Sequence, residues 1–156
     1  APAQQTHDST RGTHRSRRPM ANAVYPTYRN ILGTTGQPNL TSADIRAILV
    51  DTGTYTYSAA HDFLDDVAAG ARIAVSSTLT SPTFASVATG VFDAADVTFT
   101  AVSGASVEAI ILYVHTGTES TSRLLAYLDT GVTGLPFTPS GGNVTIQWDA
   151  GGIFIL

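Results

Sequence analysis

The segment "HDFLDD" gathers His61, Asp62, Asp65 and Asp66 within six residues, side chains able to exchange protons or share a metal ion. On a helix His61 and Asp65 stand at i and i+4, with Asp62 and Asp66 on an adjacent line. One imidazole with its local carboxylates is too small a set to specify an ion, so the expected reading is a solvated helix face. In "FDAADVTFT", Asp93 and Asp96 lie three apart, without the Asp-x-Asp-x-Asp-Gly run and distal glutamate of a calcium loop. A turn between two strands accounts for them.

Ser, His and Asp all occur, yet no Gly-x-Ser-x-Gly elbow lifts a serine onto a strand–helix turn. "TPSGGNV" lacks the lysine and following helix of a phosphate loop, and its Gly141, Gly142 and Asn143 suit positive φ in a hairpin. Trp148, the only tryptophan, is expected in the core with its indole seeking an acceptor; exposed, it would offer a sugar-stacking platform together with Tyr55, Tyr57, Tyr113 and Tyr127. No catalytic residue, metal site or cofactor is expected from these motifs.

The strongest departure from a bland sequence is electrostatic. Residues 1–19 hold Arg11, Arg15, Arg17 and Arg18 against Asp8 alone, a formal +3, whereas the remaining four arginines face eleven carboxylates, a formal −7. Arginine forks pair with phosphates and with protein carboxylates and carbonyls alike. The segment has no aromatic side chain for base stacking, and the acidic body behind it repels a duplex, so a protein partner is expected rather than nucleic acid.

Composition sets the frame for these groups. The 156 residues are 43% hydrophobic and 13% charged, against about 25% charged in an ordinary soluble domain. Such a surface suits contact with other protein. Cysteine is absent, so neither disulfides nor thiolate sites are available. No apolar run approaches the roughly 20 residues that cross a bilayer, and no membrane partner is expected.

Two domains of behaviour follow: an extended basic arm over residues 1–19, with too little apolar surface to offset its own ordering, and a single β-rich domain over residues 20–156. In "YPTYRNILG" the spacing of Tyr28, Ile31 and Leu32 predicts a short helix over 26–32, stopped by Gly33. "DIRAILVDT" predicts a strand over 44–51, apolar on both faces and therefore central. Ser58 is expected to cap a second short helix that buries Phe63, Leu64 and Val67 and ends at Gly70. Beyond it the pattern is β: "RIAVSSTLT", "GVFDAADVTFTAV", "VEAIILYVH", "RLLAYLD", "NVTIQWDA" and "IFIL" read as six or seven short strands between turns. The predicted fold is mainly β, an antiparallel sandwich or barrel-like domain with one or two short helices and an extended N-terminal arm.

From Met20 onward, "MANAVYPTYRNIL", "ADIRAILVDTGTYTYSAAHDFLDDVAAGARIA", "GVFDAADVTFTAVSGASVEAIILYVHTGTESTSRLLAYLDTGVTGLP" and "GGNVTIQWDAGGIFIL" resemble a family of small virion structural proteins of tailed bacteriophages. The resemblance implies a non-enzymatic protein without a cofactor. It places residues 1–19 ahead of the usual family start, as an added anchor. The expected role is capsid decoration, on the outer surface of the shell built by the major capsid protein. Arg11, Arg15, Arg17 and Arg18 are then the partner-binding residues, and self-association, as a trimer, would match the three-fold positions of a capsid lattice. The alternatives are a tail or baseplate component and a carbohydrate-binding module for host attachment.

Overall fold

The apolar run that predicts a strand over 44–51 is realised between Ile45 and Val50, in a computed structural model that describes residues 22–84 and 90–156. In chain order, β1 (Ala23–Val24) leads into one helical turn, α1 (Pro26–Arg29), and then β2 (Ile45–Val50). Tight 3-10 turns at Leu64–Asp66 and Ala69–Ala71 precede β3 (Arg72–Val75), β4 (Thr83–Phe84), β5 (Val91–Asp93), β6 (Val97–Phe99) and β7 (Ala109–Val114). A third such turn at Glu119–Thr121 is followed by β8 (Leu124–Leu128), β9 (Val144–Ile146) and β10 (Phe154–Ile155).

Every ladder among these strands is antiparallel. The largest sheet runs β1-β8-β7-β2-β3; β10-β5-β4 and β6-β9 form two smaller ones. The mainly β, antiparallel expectation is met. β7 and β8 are buried at every position, and β2 at every position but Arg46. Strands covered on both faces lose the polar–apolar alternation of a half-exposed sheet, and this explains their unbroken Ile, Leu, Val and Ala runs. Each fully buried Ile or Leu among them, such as Ile48, Leu49, Ile111 and Leu125, contributes roughly 1.5–3 kcal/mol of transfer free energy.

Polar groups close the ends of this core. Asp44 receives a two-pronged bond from Arg46 (2.8 and 3.0 Å) and a third from Thr78 Oγ1 at 2.6 Å, tying the start of β2 to the segment after β3. Arg72 donates to the carbonyls of Val67 and Leu64 and forks onto Glu119, which fastens two 3-10 turns to each other.

Both helical expectations are altered by the structure. The first helix stops at Arg29; beyond it Ile31 and Leu32 donate three residues back, to Tyr28 and Arg29, so the chain tightens into 3-10-type turns before Gly33, whose φ of +99° ends the run. The second short helix forms only as the 3-10 turn at Leu64–Asp66, which buries Leu64 with Val67 just beyond it, and not from a cap at Ser58. Phe63 is extended and bridges Arg123, while Leu64 donates to Ser122 and Asp62 accepts from Leu124. Pairing with the chain that enters β8 takes over the backbone groups a helix would need. Ser58 organises only a turn, through bonds from Ala60 and His61, and Gly70 lies inside the turn at Ala69–Ala71.

Candidate interaction surface

The structure scatters the groups that a reactive site would need. Without a helix, His61 and Asp65 do not share a helical line; Asp62 instead donates its N–H to Asp66 Oδ2 at 2.8 Å. Among the described residues no cluster of His, Asp or Glu is arranged to hold a metal ion. Asp93 and Asp96 sit at the turn from β5 to β6, where Asp93 Oδ1 accepts from Ala94 N–H and Asp96 Oδ1 from Trp148 N–H. The glycine-rich turn is not a hairpin between consecutive strands. Only Gly141 of its three expected residues takes a positive φ, and Asn143 uses its side chain to accept from Ala101, across from β9.

Trp148 is half-buried against the core and donates its indole N–H to Ala95 O at 3.0 Å, the acceptor its chemistry calls for. Tyr55, Tyr113 and Tyr127 are buried, and Tyr57 packs between Tyr25 and Tyr127 at 5.2 Å ring spacings. These rings fill the core instead of offering stacking faces to solvent. Arg11, Arg15, Arg17 and Arg18 lie outside the described residues.

The surface to which residues 1–19 are attached is well defined. Asn22 Oδ1 accepts from the N–H groups of Asp129 and Thr130, both at 3.1 Å, and from Thr130 Oγ1. This carboxamide fixes the chain at the end of β8. Burial pushes the Asp129 carboxyl above its usual range, and its Oδ1 has no hydrogen-bond partner among the described residues. Directly after Asn22, β1 pairs with β8, and Pro26 opens α1 at a position where its missing N–H costs nothing.

A chain of hydroxyl groups locks this entry segment to the body. Tyr25, fully buried, shares a 2.9 Å hydrogen bond with Tyr55, whose hydroxyl also meets His61 Nδ1 at 2.8 Å; Thr27 Oγ1 donates to His61 O. Burial is the main cause that pushes the Tyr25 phenol well up and those of Tyr55 and Tyr127 to about 12. The phenols therefore stay neutral and serve as donors and acceptors within the core. Nothing in the local sequence announces this chain, because its members come from two segments about 30 residues apart.

Beside β1 lies a groove of about 430 Å³ whose lining includes Asn22, Val24, Arg29, Asp149, Gly151 and Ile155. β1 is the edge of the five-stranded sheet and β10 the edge of the three-stranded one. Ile155, 58% exposed, is the most accessible large apolar side chain among the described residues, and its chain neighbour Leu156 is also exposed, at 38%. The fold thus gathers two strand edges, an exposed apolar pair and the attachment point of the basic segment in one place. A scan against protein-family models and a search of curated proteins both returned no match to this chain.

Proposed function

We propose that this protein is a non-enzymatic structural component of a tailed-bacteriophage virion, a decoration protein on the outer surface of the capsid shell, held there by its basic N-terminal arm. The observation that carries the reading is the division of the chain. A segment with a formal +3 and almost no large apolar side chains enters a body with a formal −7 at Asn22, beside an exposed apolar edge. A segment of that composition gains order from a partner's carboxylates and carbonyls, through charge-assisted bonds of its arginines. A repeating shell multiplies modest contacts per copy into avidity. The expected partners are the major capsid protein and further copies of this chain in a trimer, the closed ring that fits three-fold lattice positions.

The resemblance of residues 20–156 to small virion proteins supports the same reading. The tail or baseplate position is the competing location, and no observation favours a carbohydrate-binding role over it, since Tyr55, Tyr113 and Tyr127 are withdrawn into the core. The test is occupancy. Capsids lacking the protein are incubated with wild type, or with the variant carrying Ala at Arg11, Arg15, Arg17 and Arg18, and the bound copies are counted. Wild type saturates the shell and the variant falls short; equal saturation contradicts the anchoring role.

A further inference from the structure

Among the described residues Arg123 is the half-buried arginine whose guanidinium makes neither a hydrogen bond nor an ion pair, whereas Arg46 and Arg72 are forked onto Asp44 and Glu119. The antiparallel bridge between Phe63 and Arg123 sets their side chains together, and the guanidinium lies over the Phe63 ring, 4.3 Å from its centre. Such stacking holds the planar fork by its face and leaves the N–H groups on its rim unspent. The fork lines a cleft of about 400 Å³ between the loop that follows α1 and the connection from β7 to β8, with Ile31, Pro38 and Val114 as apolar wall. Most other polar groups of the cleft are engaged with the protein itself. Thr34 Oγ1 donates to Ile31 O and Gln37 Nε2 to Thr34 O, and the hydroxyls of Thr116 and Thr121 share a 2.6 Å bond. Arg123 is the only charged residue in the lining.

We propose that this cleft binds a small monocarboxylate with an apolar body, its carboxylate held by the Arg123 guanidinium and its body by Ile31, Pro38 and Val114. A carboxylate is planar and accepts two parallel N–H bonds from one fork, which matches a guanidinium already fixed in its plane. The charge also matches, one cation for one anion. A phosphate dianion or a polyanion would bring further negative charge against a body whose formal charge is −7, with no second cation in the cleft to meet it. A polyhydroxylated ligand would find most of the wall's hydroxyl and amide groups already bonded, so the part of the ligand beyond the carboxylate is apolar, like the wall. The site lies in the body, apart from residues 1–19, and would be present whether or not the chain decorates a capsid.

The test is a titration of full-length ¹⁵N-labelled protein with phenylacetate, a monocarboxylate on an apolar ring, and with phenylacetamide, which has the same shape and no charge. Phenylacetate should shift the amides of Thr35, Gln37, Thr116 and Arg123 saturably, and phenylacetamide at the same concentrations should leave them in place. Inorganic phosphate should not displace phenylacetate at equal concentration. Arg123→Gln, checked for an otherwise retained spectrum, should bind phenylacetate roughly tenfold or more weakly, the loss expected when a charge-assisted fork is removed. Absence of a saturable shift, shifts centred elsewhere on the body, equal binding of the acid and the amide, displacement by equal phosphate, or undiminished binding by a folded Arg123→Gln protein overturns the proposal. If Arg123→Gln does not fold, the comparison of acid with amide on the wild-type protein decides alone.

Discussion

Tyr25 and Tyr55 share a 2.9 Å hydrogen bond between their hydroxyls, and the second of these passes on to His61 Nδ1, so that one side chain holds the entry segment and a loop of the body together. Tyr55→Phe removes the middle of the chain and leaves the Tyr25 hydroxyl buried without its partner, a loss of about 1–3 kcal/mol. Tyr25→Phe strands no donor on His61 and costs less. Denaturant unfolding of the two variants measures the difference.

The same phenols set an alkaline limit. Unfolded tyrosines ionise near a pKa of about 10, whereas burial raises Tyr55 and Tyr127 to about 12 in the fold. The folded state therefore binds more protons above that lower value. The stability these groups confer is complete below about pH 10 and is lost as pH rises towards 12. Ultraviolet titration should show the buried phenols ionising together with the loss of the β circular dichroism signal; free ionisation in a folded protein would contradict their burial.

Asp44 sets an acid limit of opposite sign. The bond from Arg46, with that from Thr78, lowers its carboxyl, so its contribution is present above the ordinary aspartate value of about 3.9 and disappears as pH falls through the lowered one. Asp44→Asn should flatten the acid side of the pH–stability profile, followed by thermal unfolding across pH 2 to 6 in steps of about one unit.

Gly152 is required by both space and dihedral angle. Its φ is +101°, and an added Cβ would lie 2.2 Å from Val91 Cγ1 and 3.2 Å from the carbonyl oxygen of Phe92. Gly152→Ala should therefore cost more than the roughly 1 kcal/mol of a left-handed alanine alone and loosen β10 from β5. Hydrogen exchange at Ile153 and Leu156, whose amides bond Phe92 and Gly90, reads that loosening.

The parts of the fold that were legible in the sequence are those where local pattern and final burial agree. The runs "AILV", "AIILYV" and "LLAYL" are too apolar to leave a face in water, and they become the doubly covered strands β2, β7 and β8. The indole of Trp148 found the acceptor its chemistry demanded. The segment "SAAHDFLDDV" misled, because its helical spacing competes with pairing between Phe63 and Arg123, residues 60 positions apart, which no local window contains. The groove was illegible for the same reason: Val24 and Ile155 become neighbours only when two sheets meet.

The proposed virion role is tested most directly by looking for the protein in intact particles of a tailed phage whose genome carries this sequence. Electron cryomicroscopy of particles with and without the protein should yield difference density on the outer face of the head, at repeated three-fold or quasi-three-fold positions, with a β domain and an extended segment running from Asn22 onto neighbouring subunits. Difference density confined to the tail or baseplate, or none in the particle, would contradict it.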